Sequence, residues 1–176
     1  MQYMSEYCSS IGKLFLTADE MALTGVWFEE QKDFACSLEK QCERRETPAL
    51  QKAKKWLDMY FSGVEPDLDV PMHLVGSAFQ LEVWKILCTI PYGKTMTYGE
   101  IADQIAKKRG IMQMSAQAVG GAVGHNKISI LVPCHRVIGA NGTLTGYAGG
   151  IEKKIKLLEL EHVDIKVSER RKYKEI

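Results

Sequence analysis

Nine residues constrain this chain more than any others: Ile128-Ser-Ile-Leu-Val-Pro-Cys-His-Arg136. Apolar, largely β-branched residues around one serine read as a buried strand. Pro133 ends it, because proline cannot donate to a sheet ladder and biases Val132 toward extended backbone. A thiol, an imidazole and a guanidinium follow at once. A thiol becomes nucleophilic when a base or positive charge lowers its pKa, and His135 and Arg136 offer both. Adjacent side chains on extended backbone face opposite ways, however. On these residues alone, a structural cysteine at a strand end fits at least as well as a nucleophile.

The chain's 176 residues suffice for one large or two small domains with a buried core. No leader-like apolar segment opens it, and no apolar run reaches the ~18 residues of a membrane helix, so a cytoplasmic protein without membrane attachment is expected. Five cysteines (Cys8, Cys36, Cys42, Cys88, Cys134) include no Cys-x-x-Cys pair, which disfavours a disulfide framework or a zinc ribbon. Cys8, Cys36, Cys42 and His73 show no ligand spacing, and no metal is expected. Net charge is only +1, yet residues 1–75 hold 8 Lys/Arg against 13 Asp/Glu and residues 76–176 hold 15 against 9. A basic C-terminal half beside an acidic N-terminal half suits a nucleic-acid face, although a solvated basic surface would look the same.

Residues 5–31 alternate apolar stretches with turn signals and predict a three-strand meander. Residues 32–46 predict a loop or a frayed helix. Thr47-Pro48 opens a helix, with Leu50, Ala53, Leu57 and Phe61 as its apolar stripe and Gly63 as its stop. The sequence thus divides into an N-terminal α/β domain at 1–70, a linker at 71–76, a second domain at 77–162 and a charged tail at 163–176. In the second domain Ser77 and Gln80 form a capping box for a helix facing the core through Leu81, Trp84, Leu87 and Cys88. Thr97 and Glu100 form another, before a helix buried through Ile101, Ala102 and Ile105. A third helix starts at Ser115 and runs to about Gly124. Its Ala116, Ala118, Gly120, Gly121, Ala122 and Gly124 leave one surface nearly bare, which suits close approach of another backbone. Two short helices, a turn and a strand predict a helix-turn-helix with a wing, the wing being Val137-Ile138 returning through Asn141-Gly142. A last helix spans Ile151 to about Glu161, with Ile151, Ile155 and Leu158 facing inward.

Pro133-Cys-His-Arg136, together with Ile90-Pro-Tyr-Gly-Lys-Thr-Met-Thr-Tyr98, Ser115-Ala-Gln-Ala-Val-Gly-Gly-Ala-Val-Gly-His-Asn126 and Asn141-Gly-Thr-Leu-Thr-Gly-Tyr-Ala-Gly-Gly150, resembles the O6-alkylguanine-DNA alkyltransferases over residues 77–161. Residues 1–70 match in general layout only. The resemblance implies an α+β protein: a small β-sheet plus helix domain, ribonuclease H-like in layout, followed by a winged helix-turn-helix domain. It implies irreversible, single-turnover transfer of a methyl group from O6-alkylguanine, and from O4-methylthymine as a further candidate substrate, in flipped-out duplex DNA to Cys134. No cofactor is needed, and a monomer acting on double-stranded DNA is expected. His135 would activate the thiol through a water, oriented by Glu161, with Glu159 as near competitor. Tyr98 would protonate the departing base, and Asn126 would tie the recognition helix to the cysteine. Ser115, Gln117, Ala118, Val137, Tyr147, Ala148 and Gly149 would contact DNA or the flipped base. Arg136, placed with these by position, reads better as a structural partner of carboxylates or carbonyls.

Three departures from the family's pattern bear on function. Gln117 stands where members often carry an arginine that enters the base stack. Ala148 replaces a serine seen in some relatives, which removes a hydroxyl contact to the guanine oxygen. The turn before the third helix is about five residues longer than in better-known members. Two rivals have different signatures. A non-catalytic lesion-binding protein would lack the cysteine, which is present. A cysteine hydrolase would need an oxyanion hole, for which the motif offers no obvious donor.

Overall fold

Short apolar segments between tight turns build a four-stranded sheet. In the computed structural model, which describes residues 1–31 and 42–166, the strands are β1 (Gln2–Ser9), β2 (Gly12–Ala18), β3 (Leu23–Phe28) and β4 (Cys42–Arg44), in the order β3-β2-β1-β4. β1–β2 and β2–β3 are antiparallel, as the meander predicts. β4 was not anticipated: it pairs in parallel with β1, Gln2 opposite Cys42. Its three residues, Cys-Glu-Arg, carry no strand signal of their own, and only pairing with β1 makes them one. The expectation for 32–46 otherwise falls on 32–41, outside the described residues, as do Cys36 and the 167–176 part of the tail.

Helix α1 (Pro48–Phe61) is capped by Thr47, whose hydroxyl accepts from the Leu50 amide at 3.3 Å, with proline in the first turn. It buries Leu50, Ala53, Trp56, Leu57 and Tyr60, so Tyr60 rather than the expected Phe61 ends the stripe. The described residues form two compact units, one of 1–31, 42–75 and 127–131, the other of 76–126 and 132–166. In the first unit, the free edge of β3 is occupied by two short segments. Leu23 N–H donates to Pro71 at 2.8 Å and Leu23 accepts from His73 at 2.9 Å; Val26 donates to Lys127 at 2.9 Å and accepts from Ser129 at 3.2 Å.

The strand expected over Ile128–Val132 is not there. Ile128 makes a single bridge to Val26, and the chain then turns. Leu131 N–H bonds to Ser129 C=O at 2.9 Å around Ile130, whose φ is +73°. Cys134 N–H bonds to Val132 C=O at 2.8 Å around Pro133, at φ −81° and ψ 62°. These are successive γ-turns, the second in the low-energy inverse form that proline's ring favours. Ile128, Ile130, Leu131 and Val132 are all buried, so the apolar run correctly marks burial while misreporting the backbone.

The second unit contains α2 (Ala78–Leu87), β5 (Met96–Thr97), α3 (Tyr98–Arg109), α4 (Ala116–Gly124), β6 (Val137–Ile138) and α5 (Ile151–Leu160). Both capping boxes form: Ser77 with Gln80, and Thr97 with Glu100. Ser115 caps α4, accepting from the Ala118 amide at 3.2 Å. Trp84 on α2 donates its indole N–H to Ala122 C=O on α4 at 2.8 Å. Cys88, expected in the core, is exposed; it is the C-cap of α2, and Ile90 takes the buried place instead.

The wing is only half realised. Asn141 (φ 60°) and Gly142 (φ 77°) take the paired left-handed conformations of a hairpin turn, closed by Thr143 N–H to Ala140 C=O at 3.3 Å. One further rung, Gly139 N–H to Thr143 C=O at 2.7 Å, extends it, and among the described residues no strand pair follows. β6 pairs in parallel with β5, Met96 opposite Val137, while Leu144 turns into an apolar cluster with Ile155, Leu158 and Ile165. Among the described residues no helix is long and apolar enough to cross a membrane.

The cap of α3 matters because that helix begins at Tyr98. Thr97→Ala removes the hydroxyl that accepts from Glu100 N–H at 3.1 Å and half of its capping box. It is expected to cost about 1 kcal/mol, read as a lowered urea midpoint with unchanged slope.

Candidate active site

Cys134 opens a single 3₁₀ turn, Cys134–Arg136, that starts on Pro133 and is closed by Arg136 N–H to Pro133 C=O at 3.0 Å. The turn is tight because the inverse γ-turn ahead of it reverses the chain within three residues. Successive side chains therefore fan out, so the thiol, the imidazole and the guanidinium go to different partners.

Cys134 is 5% exposed. Asn126, just beyond α4, donates from Nδ2 to Val132 C=O at 2.9 Å and to Sγ at 3.2 Å. Burial raises the thiol's pKa; the Asn126 hydrogen bond, the Lys154 ammonium and the turn's own amides oppose that rise.

His135 and Arg136 both turn to Glu161. His135 Nε2 donates to Glu161 Oε1 at 2.6 Å, and Arg136 donates from Nη2 to Oε1 at 3.0 Å and from Nε to Oε2 at 2.9 Å. Gly93 N–H adds a bond to Oε2 at 3.2 Å, and Arg136 Nη1 reaches Ile90 C=O at 2.6 Å. Burial alone would raise the Glu161 carboxyl, but the His135 and Arg136 bonds and charges overrule it and bring the pKa to about 2. Burial lowers the pKa of His135 against the opposing pull of Glu161. The imidazole is thus neutral at pH 7, with its proton on Nε2 facing the carboxylate and its basic lone pair on Nδ1. Gly93 is needed here. Its φ is +74°, and a Cβ would lie 2.9 Å from Glu161 C=O.

A cavity of about 250 Å³ opens on Cys134, walled by Tyr98, Gly120, Val123, Gly124, Asn126, Gly146, Tyr147 and Ala148. Of the residues singled out in the sequence, Cys134, Asn126, Tyr98, Tyr147 and Ala148 therefore share one wall. His135, Arg136 and Glu161 lie buried behind the cysteine. Ser115, Gln117 and Ala118 sit exposed on the first turn of α4, outside the cavity, and Val137 and Gly149 do not line it. Glu159, the competitor of Glu161, is exposed. A Cβ at Gly120 would stand in ordinary contact, 3.7 Å from the Tyr98 ring, and one at Gly121 or Gly124 would meet no described atom within 4 Å, so packing among the described residues does not demand the glycines of α4.

Lys154 escaped the sequence reading. It is fully buried, and its ammonium donates to Val137 C=O at 2.6 Å and Thr145 C=O at 3.0 Å, joining the strand after the cysteine to the loop carrying Tyr147. Burial lowers its pKa to about 8, against the pull of Cys134. One signal was available: Lys154 sits between Ile151 and Ile155 on the stripe that faces inward. The same lysine explains why the wing ladder stops after one rung, because it takes the carbonyls of Val137 and Thr145.

The pH dependence follows from Glu161. Its folded pKa of about 2 lies below the ordinary glutamate value of 4.5, so its stabilisation is complete above 4.5 and lost as pH falls toward 2. On the order of 3 kcal/mol is at stake. Glu161→Gln keeps the shape but leaves Arg136 buried without a counter-charge. It is expected to lower stability by about 3–5 kcal/mol at pH 7 and to flatten the acid limb, both read from urea unfolding across pH.

Comparison with known proteins bears on both halves of the chain. Residues 3–74 match the family model of the 6-O-methylguanine DNA methyltransferase ribonuclease-like domain, and residues 78–163 match that family's DNA binding domain. A Haemophilus influenzae methylated-DNA–protein-cysteine methyltransferase is 40% identical over 162 residues, 92% of this chain and 87% of that protein. A Mycobacterium tuberculosis protein of the same name is 56% identical over 113 residues, 64% of this chain and 66% of its own length. The crystal structure of M. tuberculosis O6-methylguanine methyltransferase superposes with a TM-score of 0.78 at 46% identity, covering 92% of this chain and 93% of that one. A structure of M. tuberculosis OGT in complex with DNA gives 0.78 at 45% identity, covering 90% and 92%. With both domain models matched in order, and with relatives alike over nearly the whole length, this chain belongs to the 6-O-methylguanine DNA methyltransferase family.

Proposed function

We propose that this protein directly repairs O6-methylguanine in duplex DNA by moving the methyl group to Cys134. The observation that carries this reading is the thiol at the wall of a cavity, backed by a neutral imidazole whose Nε2–H is held by a buried carboxylate. Family membership and the DNA complex of the M. tuberculosis relative support DNA as the partner.

The flipped base enters the cavity beside Tyr98 and Tyr147. The thiol proton passes through a water to His135 Nδ1, and the resulting imidazolium is stabilised by Glu161. Sulfur attacks the methyl carbon in line with the C–O6 bond. A carbon–sulfur bond forms, the C–O6 bond breaks, and its electron pair returns to the purine. Tyr98 supplies a proton as charge builds on the leaving base, and the proton taken from the thiol balances the one guanine gains. Thr145 donates to the Tyr98 hydroxyl at 3.4 Å, joining the loop to the general acid. The thioether product has no leaving group that water can displace readily, so each molecule acts once, and a monomer suffices.

Incubation with an oligonucleotide bearing a single O6-methylguanine is expected to add one methyl group to Cys134, seen by intact mass and peptide mapping, with plain guanine recovered. Cys134→Ser is expected to bind and gain no mass. A wild-type protein that binds the duplex without gaining mass would make it a lesion binder instead. Tyr98→Phe is expected to keep affinity and slow the transfer step by on the order of 10²-fold in single-turnover quench experiments.

A further inference from the structure

We propose that the corner joining α3 to α4, Lys107–Met114, is an additional contact for duplex DNA, its cations meeting phosphates and its apolar tip resting against deoxyribose. This inference rests on the alkyl-transfer reading above. Three consecutive cations, Lys107, Lys108 and Arg109, form the last turn of α3. Cations there also suit the helix dipole. What the dipole does not explain is the tip: Ile111 is 44% exposed and Met112 104%. Nor is the tip a frayed end. Gly110 takes the left-handed cap at φ 64°, and Ile111 N–H returns to Ala106 C=O at 3.0 Å, the bond that closes a Schellman corner. A methionine held outward on a closed turn, beside three cations, is an apolar surface that no described residue covers.

Electrostatics and distance both favour DNA as the occupant. Glu82 meets two of the cations, Arg109 at 2.5 Å and Lys108 at 3.5 Å, and Arg109 also lies over the Phe79 ring. Asp103, one turn back on α3, is the other acidic group near Lys107 on that helix. Lys107 is exposed, and the corner retains a positive excess over Glu82. α4 begins at Ala116, just beyond the corner, and Gly120, Val123 and Gly124 on it line the cavity. Nine residues of helix span about 13 Å. That is well under one turn of duplex, about 34 Å. DNA lying along α4 while offering a base to the cavity therefore covers the corner as well.

The test compares wild type with Lys107→Gln/Lys108→Gln and Met112→Ser, all exposed positions, on a duplex carrying O6-methylguanine across a KCl series. The lysine pair is expected to bind severalfold to tenfold more weakly, with the slope of log affinity against log salt shallower by about 1 to 2. Met112→Ser is expected to weaken binding severalfold with the slope unchanged. Both are expected to keep the wild-type transfer rate at saturating duplex, since neither touches the cavity. Variants that match wild type in affinity and salt slope would overturn the proposal, as would a fall confined to the saturating rate. If wild type neither binds the duplex nor accepts the methyl group, the alkyl-transfer reading itself falls, and this inference falls with it.

Discussion

The carboxylate of Glu161 is the interaction on which the cysteine site depends. Its two oxygens accept from His135, twice from Arg136 and from the Gly93 amide, while the residue is 2% exposed. A buried charge is tolerable only when its hydrogen-bonding capacity is filled, and four donors fill this one. The donors come from separate parts of the chain. The 3₁₀ turn of the cysteine supplies three, and the Pro91-Tyr92-Gly93 bend supplies the fourth. The carboxylate itself stands at the C-terminus of α5, where Tyr92 also donates its hydroxyl to Leu160 C=O at 3.1 Å. Losing the charge would therefore release the imidazole, strand the guanidinium and loosen the bend together.

This arrangement shows why adjacent residues can have opposite functions. Cys134 faces a cavity, whereas His135 and Arg136 face a carboxylate buried behind it. On an extended strand the side chains would alternate between two faces, and the sequence alone argues for that alternation. The γ-turn at Pro133 and the 3₁₀ turn after it replace alternation with a fan. Apolar composition reads as burial in either backbone, so the Ile128–Val132 run conceals the turn. Ile130 makes the concealment complete, since a β-branched residue at positive φ is one that no propensity argument would select.

Other features divide along the same physical line. Signals that act within four residues are legible: the Thr47 cap, both capping boxes and the paired left-handed residues of Asn141-Gly142 all take their expected local form. Features that depend on a distant partner are not. β4 exists because β1 offers it an edge. The wing ladder stops after one rung because Lys154, 17 residues beyond Val137, takes the Val137 carbonyl. Cys88 fails to reach the core because its helix ends one residue too soon. The position of Glu161 opposite His135 was reachable only through resemblance to a family, since nothing local marks one glutamate over Glu159 two residues away.

Lys154 also links two aspects of the proposed chemistry. A fully buried ammonium is costly unless its donors are used, and here they hold the strand after Cys134 against the loop bearing Tyr147. The same charge sits close enough to the thiol to pull its pKa down against burial. In the resting state burial wins. Cys134 remains protonated and His135 neutral, so the site stores no thiolate. That suits a nucleophile used once, because oxidation and adventitious alkylation both proceed through the thiolate. The groups that stabilise the thiolate (the Asn126 amide, the turn's N–H groups and Lys154) are already in position. Forming it then requires only that the proton move to His135, and stabilisation by Glu161 lets the imidazole hold that proton while the methyl carbon is attacked.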